Sequence, residues 1–197
     1  MPPEPNDPYI YPGTRVLNNK ADIRDTEALK RYEYERSKLR LEELREKPLL
    51  GKFDLAHLQA IHACIFQDVY EWAGQVRTIN LMKGDTAFAL APYIENEARK
   101  LSAVLLEENH LQGLNQAPFV ERFSHYYAEW NVLHPFREGN GRATREFLGQ
   151  LARAAGYELD QTRIENNQSQ WDYAAERSFH GNLAPVVRIF TAAIRRR

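Results

Sequence analysis

This sequence predicts an all-α domain carrying one short β-hairpin, on the strength of three observations. Apolar residues recur at helical spacing through most of the 197 residues. One stretch, residues 75–90, alternates instead in the manner of strands around a turn. No internal repeat or linker divides the chain, and at 43% hydrophobic and 27% charged residues it is globular in composition and long enough for a core of its own.

Residues 1–24 read as an N-terminal arm. Its first fourteen positions are rich in Pro, Asn, Asp and Gly, with Tyr9 and Tyr11 available to pin it to the body. Residues 25–197 then form the single domain. A helix starts at Asp25-Thr26, where either side chain can cap it, and runs to about Lys47 ahead of Pro48. Its apolar seam is thin (Leu29, Tyr32, Leu39, Leu44), and its many charges read as a solvated face. A second helix from Asp54 carries Leu55, Leu58, Ile61, Ile65, Phe66 and Val69. His57 and His62 on it are five apart, off the spacing of about four that ligands on one helix face prefer, so they read as structural or solvent-facing.

The alternating stretch comes next. Residues Gln75 to Leu81 have a strand pattern, Lys83-Gly84-Asp85 supplies a turn, and Thr86 to Leu90 can return antiparallel. A lone hairpin leaves open edges, which serve either as a structural flap or as a template that recruits an extended segment of another protein. An amphipathic helix follows over 94–109, then one over 118–133 with an aromatic stripe of Phe119, Phe123, Tyr126 and Trp130. After a loop at 134–141 a helix runs from about Arg142 to Ala155, stopped by Gly156. Shorter helices cover 168–179 and 184–195, and Arg195-Arg196-Arg197 reads as a frayed tail.

Composition excludes several classes. With 26 basic and 27 acidic side chains there is no broad electrostatic grip on nucleic acid. The lone Cys64 excludes an internal disulfide and a cysteine-rich metal site, and reads as filler in an apolar helix. The start lacks the basic and apolar regions of a signal peptide, and no apolar run approaches the ~18 residues that span a bilayer. A cytoplasmic protein without membrane contact is the expectation.

The chemistry concentrates in His134-Pro135-Phe136-Arg137-Glu138-Gly139-Asn140-Gly141-Arg142-Ala143-Thr144-Arg145. Gly139 and Gly141 permit backbone shapes that present successive amides, and Asn140 tolerates the left-handed region. Such a run is an anion nest, and it leads into a helix N-terminus whose unpaired amides favour phosphate. Arg142 and Arg145, three apart, project from one side of the first turn and suit a di- or triphosphate. Glu138 is a hard oxygen donor suited to Mg²⁺, and His134 titrates near neutrality as a general base. A cradle, a metal ligand and a base are the parts of phosphoryl or nucleotidyl transfer. No Walker loop, dinucleotide fingerprint, zinc-protease or serine-hydrolase motif occurs. The plainer reading is a glycine-rich helix start flanked by surface arginines.

The segment resembles the signature of the Fic family, H-x-F-x-[DE]-G-N-G-R-x-x-R, with every specified position filled. Trp72-Ala73-Gly74, the hairpin with Lys83-Gly84, and the helix leading to His134 also look like a Fic core. The opening Asp7-Pro8-Tyr9-Ile10-Tyr11-Pro12-Gly13 resembles the start of class I bacterial Fic toxins and related secreted effectors. The resemblance implies transfer of AMP from ATP to a Ser, Thr or Tyr hydroxyl of a target protein, with release of pyrophosphate. In that reading His134 takes the hydroxyl proton, Phe136 anchors the loop and Glu138 binds Mg²⁺. Gly139, Asn140 and Gly141 hold the phosphates by their amides, and Arg142 and Arg145 bind the β- and γ-phosphates. The hairpin, with Lys83 and Phe88 near its tip and edge, becomes a flap that aligns the target. Asn167, Trp171 and Tyr173, after the motif helix, are the candidates for the adenine wall, and a purely structural Trp171 is an equal reading.

Many Fic proteins are inhibited by an [ST]-x-x-x-E-[GN] helix whose glutamate pairs with the second motif arginine, here Arg145. No Ser or Thr in this chain has a glutamate four positions on; the nearest imitation, Thr162 to Asn166, is one residue short. The resemblance therefore implies either a small antitoxin that supplies the glutamate to Arg145, which is favoured, or an unregulated effector. It points to a type II topoisomerase subunit as target for a toxin, or to host GTPases, in the host cytosol, for an effector. Doc-type relatives, which phosphorylate their target, resemble H-x-F-x-D-A-N-K-R and carry a lysine where Gly141 stands. Transfer of another nucleotide or of phosphocholine is compatible with the same signature, which does not fix base selection. A non-catalytic nucleotide-binding adaptor is a reading of a different class, and the intact His134 and Glu138 argue against it.

Overall fold

The structure is a computed structural model that describes residues 7–84 and 86–197. The first six residues of the arm and Asp85 of the turn lie outside the described residues, as does the side chain of Glu165 in the imitation motif.

Helix α1 (Thr26–Glu46) starts at Asp25, whose Oδ1 accepts the Ala28 amide at 2.8 Å, and α2 (Leu55–Phe66) starts at Asp54, which accepts the His57 amide at 2.9 Å. These caps satisfy amides that the helix cannot. There follow α3 (Ile94–Glu107), α4 (Gln116–Leu133), α5 (Asn140–Ala154), the short α6 (Gln161–Glu165), α7 (Gln168–Phe179) and α8 (Ala184–Ala193). Helix α4 runs through the centre, touching α3, α5, α7 and α8. Its stripe of Phe119, Phe123, Tyr126 and Trp130 is buried, and so are Phe147 and Leu151 of α5 and Phe190 of α8. On the other side of α5 lies α2, covered in turn by α1. This sandwich fixes the α4–α5 corner, where the signature sits.

Three expectations need correction. Residues 75–81 form no strand: the hairpin is only β1 (Met82–Lys83) against β2 (Thr86–Ala87). The reason is Arg77, whose amide bonds to Pro135 O and whose buried side chain takes carbonyls that a ladder would otherwise use. The C-terminal arginines are not a frayed tail: α8 ends at Ala193, and β4 (Ile194–Arg196) pairs antiparallel with β3 (Tyr157–Leu159). In α1, Leu39 is exposed and Ser37 is buried, so the inward face is more polar than the seam suggests. His57 and His62 take the structural alternative of their reading, since both are buried. The arm is tied down: Ile10 bridges to Leu17, and Val16 enters the core. Among the described residues no helix is long and apolar enough to cross a membrane.

Candidate active site

His134 is the residue where α4 stops. It takes the left-handed conformation (φ 44°, ψ 60°), which turns the chain sharply into the signature loop. Such a conformation is unfavourable for a residue with a Cβ and persists only where neighbours enforce it. Arg77 does so. Its Nε donates to the His134 carbonyl at 2.8 Å, Nη2 to the carbonyls of Ala89 and Leu133, and Nη1 to that of Ile79. One guanidinium thereby joins the end of α4 to both ends of the segment that carries the hairpin.

The His134 ring stacks on Phe88 at 3.8 Å with 16° between planes, and Phe179 of α7 meets the Phe88 ring edge-on at 5.7 Å. Nδ1 of His134 is buried and makes no hydrogen bond within normal geometry among the described residues. Burial first, then the charges of Arg77 and Lys83, lower its pKa to about 4, and the Asn131 carbonyl opposes the shift. The imidazole is therefore neutral at pH 7, as a proton acceptor must be. Lys83 itself is exposed on β1.

Phe136 is buried and stacks on His62 at 3.8 Å. The His62 Nδ1 accepts the Gly74 amide at 2.8 Å, so Nε2 bears the proton and donates to the Glu138 carbonyl at 2.9 Å. Burial, with a lesser push from Arg142, lowers the pKa of His62 to about 4 and keeps this tautomer neutral. The Asn140 side chain closes the loop by a reciprocal pair: Oδ1 accepts Phe136 N and Nδ2 donates to Phe136 O, both at 2.8 Å. Gly139 has φ +80°, and a Cβ there would lie 2.3 Å from the Phe66 ring, so only glycine fits.

Helix α5 makes its first internal bond from Ala143 N to Gly139 O at 3.1 Å. The amides of Asn140, Gly141 and Arg142 precede it and lack helical partners, which makes this end attractive to an anion. The Glu138 carboxylate, exposed, accepts the Gly139 amide at 2.8 Å. A Cβ on Gly141 would stand 3.3 Å from Nη1 of Arg145, so that guanidinium arches back over the glycine. Arg142 points the other way, onto α1: Nη2 pairs with Glu33, Nη1 donates to Ser37 Oγ at 2.9 Å, and the guanidinium lies 4.7 Å above the Phe66 ring. The loop brings His134, Glu138, Gly139, Asn140, Gly141 and Arg145 together and sends Arg142 to its rear.

The three candidates for the adenine wall are not brought together. Trp171 is buried against Tyr127 and Phe190, and Tyr173, two residues on, is exposed beside Pro185 and Arg188 on the other side of α7. Asn167 precedes α7 and donates to the Arg163 carbonyl at 3.1 Å. Sequence reading missed Arg77 and Glu33, and it named His62 without its bond to the signature loop. The signal for Arg77 was present: an arginine shares the inward register of the 75–81 alternation with Ile79 and Leu81.

Comparison with known proteins agrees with this geometry. The Fic/DOC family profile matches residues 52–152. The chain is 42% identical over 191 residues to the probable protein adenylyltransferase Fic of Escherichia coli K12, covering 97% of this chain and 94% of that one. It is 44% identical over 177 residues to the protein adenylyltransferase VbhT of Bartonella schoenbuchensis, covering 90% of this chain and 37% of that longer protein. Among solved structures, the BepC effector of Bartonella tribocorum with bound AMPPNP superimposes with a TM-score of 0.88 at 30% identity, over 96% of this chain and 97% of that one. With its signature loop intact and the relatives matching it nearly end to end, this chain belongs to the Fic/DOC family.

Proposed function

We propose that the chain is a protein adenylyltransferase, moving AMP from ATP to a Ser, Thr or Tyr hydroxyl of a target protein. The observation that carries this is the corner between α4 and α5, where a histidine whose pKa burial lowers ends one helix and the unpaired amides of the next begin six residues on. The relatives' names and the nucleotide-bound neighbours support the same reading.

The polyphosphate lies over the amides of Asn140 and Gly141, with Arg145 arching above Gly141, while Glu138 holds the Gly139 amide and Glu33 pairs with Arg142. The target hydroxyl oxygen attacks the α-phosphorus, the bond from that phosphorus to the bridging oxygen breaks, and pyrophosphate leaves. The hydroxyl proton goes to His134; since Nδ1 is buried, Nε2 is the accepting nitrogen. Phe88 fixes the ring by stacking, and the β1–β2 flap, with Lys83 on it, offers its edge to the segment that carries the hydroxyl.

The residues also fit Mg²⁺. Glu138 is an exposed carboxylate next to the nest, and no cluster of three or more metal-ligating side chains occurs among the described residues. One carboxylate plus phosphate oxygens and water is how Mg²⁺ is commonly held, whereas a tight all-protein site would need more ligands. When bound, the ion neutralises charge that builds on the leaving phosphates.

Incubating the protein with ATP and a bacterial lysate, then mapping modified peptides by mass spectrometry, tests the proposal: AMP on a Ser, Thr or Tyr is the expected product. The absence of an internal inhibitory motif in the sequence supports restraint by a small antitoxin whose glutamate reaches Arg145. Growth arrest that persists with such a partner bound would reject that part.

A further inference from the structure

Glu33 lies on α1, outside the signature and outside the residues that the family profile matches. Its carboxylate is fully engaged: one oxygen takes Nη2 of Arg142, the other the hydroxyl of Tyr70. The pair is mostly enclosed, with side-chain exposures of 12% for Glu33 and 23% for Arg142. Ser37, one turn further along α1 and buried, takes Nη1, and Phe66 supports the guanidinium from below. Three neighbours from two helices, Glu33 and Ser37 of α1 and Phe66 of α2, therefore converge on one arginine, and Tyr70 holds Glu33 in turn. An ion pair enclosed to this degree, with both oxygens committed, is costly to break.

From this arrangement we propose that Glu33 is a positioning residue for adenylyl transfer, holding Arg142 as the anchor of the nest while Arg145 meets the polyphosphate. Nη1 and Nη2 of Arg142 each bond to α1, which turns its guanidinium toward Ser37 and Glu33, whereas Nη1 of Arg145 lies over Gly141. The Arg142 amide itself belongs to the unpaired set at the start of α5, so holding its side chain on α1 holds that first turn in place beside Asn140 and Gly141. Glu33 thus acts on the substrate through Arg142 and touches no substrate itself. The inference rests on the phosphates lying over Asn140 and Gly141.

The test is a mutant cycle of Glu33→Gln, Arg142→Gln and the double variant, with Arg145→Gln alongside. The readouts are kcat/KM for transfer and the binding preference for AMPPNP over AMP. Glu33→Gln and Arg142→Gln are each expected to lower kcat/KM about tenfold, the scale of modest misplacement. The double variant should be no worse than either single, because both break one link. The AMPPNP/AMP preference should stay within about twofold for both and collapse for Arg145→Gln, since only a direct phosphate ligand discriminates the two nucleotides. Ser37→Ala, which keeps the ion pair, serves if either Gln variant fails to fold, and is expected to give a smaller loss of the same kind. Loss of the AMPPNP preference in Arg142→Gln, or full kcat/KM in Glu33→Gln, overturns the assignment. If instead Arg145→Gln leaves the preference unchanged, the phosphate placement itself is wrong and the assignment falls with it.

Discussion

His134 combines three properties that its residue type alone does not supply: a left-handed backbone, a stacked ring and a lowered pKa near 4. A base already neutral well below pH 6 has consequences for the rate. In chemistry-limited transfer, kcat should stay level from pH 8 down to about 5.5 and fall only near pH 4; an inflection near 6.5, the ordinary histidine value, would contradict the assigned burial. Arg77 keeps the base in place by serving four carbonyls with one planar fork, and burial lowers its own pKa to about 10. Lysine cannot reproduce that fork. Arg77→Lys is expected to destabilise the fold by about 3 kcal/mol in urea unfolding and to lower kcat more than it raises the KM for ATP. At Gly141, Gly→Ala places a Cβ against Arg145, so the KM for ATP should rise several-fold with the fold unchanged.

Among elements, the helices were legible because their signals are local. Asp25 and Asp54 cap where a capping side chain precedes an apolar period, and the aromatic stripe of α4 is the core it suggests. The signature loop was legible for the same reason, since glycine needs and helix-start chemistry lie within twelve residues. What was not legible depends on distant partners. The 75–81 segment alternates, yet its bonds go to α4 through Arg77. The terminal arginines look solvated, yet Ile194 is buried and its strand is paired with residues 157–159, nearly forty positions away. Ile194→Ala should therefore cost about 2–4 kcal/mol and lower Tm by several degrees; an unchanged Tm would contradict the pairing of β4 with β3. Glu33 among many charges on α1 carried no sequence mark, because an enclosed ion pair and a solvated helix charge are spelled alike.

At the scale of the whole molecule, the arm, the helical sandwich and the signature loop form one support. Asp7 pairs with Arg137 at 2.7 Å, and the Tyr9 hydroxyl accepts the Thr78 amide at 3.1 Å, so the arm braces both the loop and the segment before the flap. Two histidines packed beside that loop are held neutral, His62 and His134, each with a pKa near 4 against about 6.5 when unfolded. Below pH 6.5 the unfolded chain takes up protons that the folded chain refuses, so stability falls between pH 6.5 and 4 and is independent of these groups above that window. The urea midpoint should drop across that interval, and His62→Gln should make the drop shallower. The family's transfer reaction asks this support for one outcome, an α-phosphoryl group delivered to a protein hydroxyl. Label from α-labelled ATP on lysate proteins, with wild type beside His134→Ala, reads it directly. Labelled bands that fall at least about 100-fold in the alanine variant are the expected result; His134-dependent label from γ-labelled ATP alone would make the protein a kinase and contradict it.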